Sequence, residues 1–122
     1  MQAERERKAE AERSKRQQQQ EWQAAMDRAR SQFHEDRRVA ALDSQLSDWE
    51  KAAGIRHFCD ACDADPMADE DSAGRAEWLA WCRDYADRIN PVQRGGLAPK
   101  QYEPRSEDLR PYLPPGMNPY RP

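Results

Sequence analysis

Large apolar side chains begin at Trp22 and then recur at a helical spacing. Before that residue the only apolar side chains are those of Met1 and of alanines. Steps of three and four residues bring side chains to one face of an α-helix. Two such stripes, separated by a phase slip, consist of Trp22, Met26, Ala29 and Phe33 and then of Val39, Leu42, Leu46, Trp49 and Ala53. The spacing predicts a long amphipathic helix with coiled-coil character, and it leaves open whether the chain itself or a second copy covers the stripes.

The same helix is predicted to extend in both directions from these stripes. Residues 1–21 consist mainly of Glu, Arg, Lys, Ala and Gln, which are good helix formers but offer nothing to bury. They predict a charged helical or frayed arm, with a coiled-coil arm and a polynucleotide-binding arm as alternatives. Past Gly54 the apolar face is predicted to drift to Ile55, Phe58, Cys59 and Cys62.

A second helix has the clearest pattern in the chain, over residues 73–91. Asn90 ends it because Pro91 disfavours helical backbone in the residue before it. Charged residues occupy its remaining faces. The residues predicted to share its apolar stripe are Trp78, Leu79, Cys82, Tyr85, Ala86 and Ile89.

Residues 63–72 lie between the two predicted helices, and their proline and aspartates predict an interruption of the helix there. Asp65 before Pro66 and Asp71 before Ser72 are alternative N-cap signals for the second helix. A short connection between two amphipathic helices predicts an antiparallel helical hairpin.

Proline dominates the C-terminal part of the chain. Eight of the nine prolines lie from Pro91 to the end, interleaved with large apolar residues. Such a segment is predicted to be extended, either disordered or strapped across the hairpin by its aromatic residues. Residues 110–114 also fit, weakly, a proline-rich ligand of an SH3-type domain. We therefore predict an all-α protein in three segments: an arm at 1–21, a long helix plus hairpin at 22–91, and an extended Pro-rich tail at 92–122.

Charge and composition narrow the classes of function. Charged residues make up 35% of the chain, and its formal net charge is −3. Residues 1–40 hold ten Lys or Arg against eight Asp or Glu, whereas residues 43–90 hold five against twelve. This distribution argues against a binder of the duplex-DNA groove, which needs a concentrated positive face. No membrane span or secretory signal is recognisable, which predicts a cytoplasmic protein. The small apolar core predicts that a partner or self-association contributes to stability.

Cysteine and histidine cluster in RHFCDACDAD, residues 56–65, and Cys82 follows. On a helix His57 and Cys59 point about 160° apart, so they cannot share a metal ion. The four converging ligands of a structural zinc site are also missing. A redox CxxC lies at a helix N-terminus, whereas Cys59 and Cys62 lie near a helix C-terminus among aspartates. We predict no metal and no cofactor, and buried thiols with Cys59 and Cys82 facing each other across the hairpin.

Other patterns that carry chemistry are incomplete. The acidic residues Asp63, Asp65, Asp69, Glu70 and Asp71 suggest calcium, but the glycine and glutamate that an EF-hand loop needs do not occur in that frame. The chain shows no nucleophile arranged with a histidine and no glycine-rich phosphate loop. We predict that the protein is not an enzyme.

Aromatic and apolar residues are the better candidates for function. Trp81 lies off the apolar stripe of its helix and is the first candidate for an exposed contact residue, unless the tail covers it. Trp22, Tyr112 and Leu113 are further candidate interaction residues.

Several motifs together carry a family resemblance. They are Trp49, Ile55-Arg56-x-Phe58, AEWLAW at 76–81, YADRINP at 85–91 and EDLRPYL at 107–113. With these, nearly the whole chain resembles the C-terminal segment of a group of uncharacterised bacterial proteins, in which a Glu/Arg-rich helical arm precedes a W-L-x-W helix. Longer members carry an upstream region suggestive of helix-turn-helix DNA binding. The resemblance implies that this chain is the arm and hairpin of a larger protein; it implies no activity and no site residues.

Taken with the composition, these patterns predict a non-enzymatic module for protein interaction or oligomerisation. Its partner is predicted to be a protein or a second copy, with a homodimer as one form. The alternative is a nucleic-acid-associated accessory or regulatory factor, encoded by a mobile element, that uses residues 1–40 as a basic arm. No membrane partner is predicted.

Overall fold

The fold is all-α, as predicted, in the part of the chain that the structure describes. A computed structural model describes residues 1–65 and 71–122. These residues form no strand. The helices are α1 (Gln2–Ala64), α2 (Ser72–Ile89), α3 (Pro91–Arg94) and α4 (Ser106–Leu109), followed by a 3₁₀ turn at Arg110–Tyr112.

The chain divides into two compact units, and α1 contributes to both. Unit 1 comprises Met1–Arg37 and Gln101–Pro122, and unit 2 comprises Arg38–Lys100. This division crosses the segment boundaries expected from the sequence, because the first apolar stripe of α1 packs with the C-terminal segment rather than with α2.

Polar side chains support the exposed surface of α1 in unit 1. Glutamine amides donate to carboxylates four residues later, from Gln17 to Glu21 at 3.1 Å and from Gln32 to Asp36 at 2.8 Å. Such i,i+4 pairs each contribute a few tenths of a kcal/mol. They suit a helix whose first 21 residues bury almost nothing.

The ends of α2 lie where the sequence predicts them. The Asp71 carboxylate accepts a hydrogen bond from the Gly74 backbone N–H at 2.8 Å, which caps the helix. The alternative cap at Asp65 involves Pro66, which lies outside the described residues. Asn90 ends α2, and its side chain accepts from the Val92 backbone N–H at 3.0 Å to start α3.

Unit 1 is built around the first apolar stripe of α1. Its core is formed by Ala25, Met26, Ala29, Leu109 and Leu113, with Trp22, Phe33, Tyr112 and Met117 packed against it. The sequence predicts an extended C-terminal segment, but part of this segment is helical. It forms α4 and the 3₁₀ turn. This local helix places Leu109 and Leu113 on the side that packs against α1.

Polar and aromatic contacts attach the C-terminal segment to α1 at two further points. The Trp22 indole N–H donates to the Asn118 carbonyl oxygen at 2.7 Å. The Arg37 guanidinium lies 4.7 Å from the centre of the Tyr102 ring and 5.8 Å from that of Phe33. Such cation–π contacts add about 0.5–1 kcal/mol at exposed sites. The segment is therefore held at both of its ends as well as through its leucines.

Glu107 forms a hydrogen-bonded network on the surface of the C-terminal segment. The Arg110 guanidinium donates to both of its carboxylate oxygens, at 2.7 and 3.1 Å, and the Tyr120 hydroxyl donates at 2.6 Å. The bonds from Arg110, and then that from Tyr120, lower the pKa of Glu107 to about 2 from an ordinary 4.5.

Titration of Glu107 provides a test of this network. Because its pKa is lower in the folded chain, the carboxylate stabilises the segment above pH 4.5 and this contribution is lost as the pH falls through about 2. We expect the side-chain carboxyl resonance of Glu107, followed by NMR, to titrate near pH 2. Arg110→Leu should move the midpoint most of the way back towards 4.5, and Tyr120→Phe less far. A wild-type midpoint near the ordinary value would contradict the network.

In unit 2, α1 and α2 pack through a narrow contact of small side chains. Cys59, Leu79 and Cys82 form a buried cluster with Ile55 and Cys62 against it, and Ala52 and Ala86 are fully buried. Residues later in α1 contact residues earlier in α2. Arg56 meets Asp87 at 2.6 Å, and Arg83 meets Asp60 at 3.5 Å.

Candidate interaction surface

The second apolar stripe of α1 lies uncovered on unit 2. Its large side chains keep 44–54% of their surface exposed. They are Val39, Leu42, Leu46 and Trp49, and we call them the apolar stripe. The sequence leaves open whether the chain itself or a second copy covers these residues. In the described part of unit 2, each keeps close to half of its surface uncovered.

The packing of α2 explains why the apolar stripe stays exposed. At 100° per residue, the stripe lies about 140° around α1 from the face that holds Ala52, Ile55, Cys59 and Cys62. α2 packs on that second face, where alanine and cysteine allow a close approach of the two helices. The segment after α3 lies alongside: Gln45 donates to the Leu97 carbonyl oxygen at 2.5 Å.

A ladder of three aromatic rings lies exposed along α2. Trp78 stacks on Trp81, and Trp81 on Tyr85, each with ring centres 5.3 Å apart and planes within 8° of parallel. We call these three residues the aromatic ladder. Both tryptophans keep half or more of their surface exposed, 57% for Trp78 and 50% for Trp81. The prediction that Trp78 belongs to the core is therefore wrong, because the packed face of α2 centres on Leu79, Cys82 and Ala86.

The aromatic ladder and the ion pairs lie on opposite sides of the α1–α2 contact. Lys51 of α1 lies 5.5 Å from the centre of the Tyr85 ring, next to the ladder. Phe58 was also expected in the core, but it is exposed. It lies two turns of α1 beyond Lys51 and therefore on the same side of that helix. On the other side Arg83 pairs with both Asp60 and Asp63, and the bond to Asp63 raises the pKa of Arg83. Ion pairs therefore line one side of the α1–α2 contact, and aromatic rings line the other side.

The cysteines pack as the sequence predicts. Cys59 and Cys82 are buried in one cluster across the two helices, and all three cysteines are free thiols. Burial is the main cause that raises the pKa of the Cys59 thiol, which keeps it protonated and weakly nucleophilic. Within residues 1–65 and 71–122, no three His, Cys, Asp or Glu side chains are arranged to hold a metal ion. Two residues of the acidic cluster at 63–71, Asp69 and Glu70, lie outside that range.

The four candidate interaction residues fall in two different environments. Trp81 is exposed in the aromatic ladder. Trp22, Tyr112 and Leu113 pack with the core of unit 1, where they attach the C-terminal segment to α1. The mutual packing of these three was not predicted from the sequence. The sequence does contain a signal for it: the first apolar stripe of α1 begins at Trp22, and the C-terminal segment carries leucines and tyrosines that can cover it.

Unit 1 also contains an open cleft of about 380 Å³. It is lined by Gln18, Glu21 and Trp22 of α1, by residues 114–118 and by Pro122. Among these lining residues there is one carboxylate side chain, and no cationic, histidine or cysteine side chain. The cleft therefore lacks the converging polar groups of a catalytic site.

Comparisons with family models, curated proteins and solved structures found no match to this chain. The resemblance drawn from the sequence motifs therefore stays a prediction. Among the described residues, no helix combines the length and the apolar character that crossing a membrane requires.

Proposed function

We propose that the chain is a non-enzymatic protein-interaction module that associates with itself through unit 2. In this proposal unit 2 is an antiparallel helical hairpin that serves as a rigid base, and unit 1 is the arm strapped by the Pro-rich segment. The observation that carries the proposal is the exposure of large apolar side chains on two surfaces of unit 2, the apolar stripe and the aromatic ladder.

The burial within unit 2 supports association. Among the described residues of unit 2, the buried hydrophobic ones are Ala52, Cys59, Leu79, Cys82 and Ala86, of which leucine alone is large. Fully burying a leucine stabilises by about 1.5–3 kcal/mol, and alanine contributes much less. A helical pair with so small a core gains stability when a further surface covers its exposed apolar side chains.

A nucleic-acid-associated factor is the second candidate function. The side chains of residues 10–21 are all exposed, which leaves their arginines and lysines open to phosphate. However, residues 1–21 carry six Lys or Arg against five Glu, so phosphate would meet almost as much negative as positive charge. The arm therefore supports association with a protein better than association with nucleic acid.

Two parallel measurements on the full chain separate these functions. The first is sedimentation velocity over a concentration series, in which we expect the mass to rise with concentration. The second is fluorescence anisotropy of labelled single-stranded and duplex oligonucleotides at low and moderate salt, in which we expect no salt-dependent binding. Oligonucleotide binding that disappears when residues 1–21 are deleted, together with a constant monomeric mass, would instead establish the nucleic-acid function.

A further inference from the structure

The geometry of α1 points to the partner: we infer that two copies associate in parallel and in register along Val39, Leu42, Leu46 and Trp49. This inference rests on the proposed function and names both the second copy and the surface it uses. The other exposed surface, the aromatic ladder, does not take part.

The spacing of the apolar stripe is that of a coiled-coil seam. In heptad letters Val39 and Leu46 are a positions, Leu42 and Trp49 are d positions, and Ala53 continues as a. Such a seam is self-complementary, because side chains at a and d insert between those of the same seam on a second helix. A β-branched residue at a followed by leucine at d, as at Val39 and Leu42, favours two strands. A second copy of the chain therefore fits this face without any further residue.

Charges beside the seam decide the direction. In a parallel pair, a g position faces the e position five residues later on the partner helix. Arg38 at g then lies opposite Asp43 at e of the second copy. In an antiparallel pair that aligns all four stripe residues, Val39 lies opposite Trp49 and Leu42 opposite Leu46. That arrangement brings Asp43 of one copy next to Asp43 of the other, and these like charges repel. The parallel arrangement is therefore the favoured one.

The limits of the seam set its strength. Charged or polar residues occupy the a and d positions on either side of it, namely Gln32 and Glu35 before the stripe and Arg56 and Asp60 after it. The seam is thus about 21 Å long, or two heptads, where a stable coiled coil has three or four. Because α2 packs about 140° away around α1, it leaves the seam open, while the segment at Leu97 lies beside Gln45 on one flank of it. We expect a reversible dimer with a dissociation constant of about 10–100 μM.

Charged substitutions in the stripe test the surface. Leu42→Glu combined with Leu46→Glu should weaken dimerisation at least about 100-fold in sedimentation equilibrium, since four carboxylates would meet in one seam. Both leucines are about half exposed, so the helical circular dichroism spectrum should not change. Val92→Glu is the matched control: it adds a charge at an apolar side chain that is 69% exposed and off the seam, and should leave the dimer intact.

Cysteine cross-linking tests the direction and the register. Under mild oxidation Leu42→Cys should form a disulfide between copies, because a parallel seam places residue 42 beside itself within disulfide reach. In the antiparallel pair residue 42 lies opposite residue 46, so the two residues 42 are about 6 Å apart along the axis in addition to the distance between the helices, which is beyond disulfide reach. Ser44→Cys, at the outward f position, should stay reduced, as should the wild type.

The outcomes separate this inference from the proposed function. A dimer that persists in the Leu42→Glu and Leu46→Glu variant, but is lost in Trp81→Glu, would overturn the seam and leave the proposed function standing. A dimer that the stripe variant abolishes, but that Leu42→Cys cannot cross-link, would overturn the parallel register. A wild-type chain that stays monomeric at about 1 mM, well above the expected dissociation constant, would overturn both.

Discussion

Leu109→Ala should detach the C-terminal segment from α1. Leu109 is 1% exposed and belongs to the core of unit 1, together with Ala29 and Leu113. Truncating such a leucine costs about 2–5 kcal/mol, from lost burial and from the cavity that remains. Amide hydrogen exchange in residues 106–113 should therefore accelerate by about 30-fold or more.

The chain provides a matched control for this substitution. Leu97→Ala makes the same change at a leucine that is half exposed, and its effect on exchange in residues 106–113 should be negligible. Slow exchange that persists in Leu109→Ala would show that Trp22, Tyr102 and the Glu107 network hold the segment without the leucine core.

Ala86→Asp should disrupt the contact between α1 and α2. Ala86 is fully buried at the place where the two helices approach each other, as is Ala52 on α1. A larger side chain separates the helices there, and a buried carboxylate adds a desolvation penalty. The combined cost is about 3 kcal/mol or more, which is a large part of the free energy of unfolding that so small a unit can have. Thermal unfolding followed by circular dichroism should show a much lower midpoint for unit 2.

Ala80→Asp makes the same change on the exposed face of the same helix. It introduces the same charge and the same loss of helix propensity but no burial. Its cost should stay below about 1 kcal/mol. Equal destabilisation by the two substitutions would mean that α2 depends on its own helical propensity rather than on its packing against α1.

The local features of the fold could be predicted from the sequence. Proline at 91 and aspartate at 71 fix the ends of α2 through backbone sterics and a side-chain cap, which depend on neighbours in the chain alone. The burial of Cys59 and Cys82 follows from helical phase, because both lie on faces that are apolar in the sequence.

The partner of each apolar face could not be predicted. Periodicity shows that a face is apolar, but not which other face it meets. The sizes of the side chains also misled. Phe58 and Trp78 are the largest residues on the predicted packed faces of α1 and α2, while the contact itself centres on small residues such as Ala52 and Ala86. Small side chains let helix axes approach closely, and this advantage is invisible in a hydropathy pattern.

The candidate interaction surface was foreseen only in part. Trp81 was identified because it lies off the apolar stripe of α2, but its stacking with Trp78 and Tyr85 depends on side-chain rotamers. Trp22, Tyr112 and Leu113 are large apolar residues in a chain rich in charged and polar ones. Residues of that kind equally well pack against each other, as they do in unit 1.

The four tryptophans allow the most direct test of self-association through the apolar stripe. Trp22 lies in the core of unit 1, Trp49 in the stripe, and Trp78 and Trp81 in the aromatic ladder. Each contributes one indole N–H signal to a ¹⁵N-correlated NMR spectrum, which can be recorded over a concentration series. We predict that the Trp49 signal shifts with concentration while the other three stay in place. Four signals that never move, or movement confined to Trp78 and Trp81, would contradict the account.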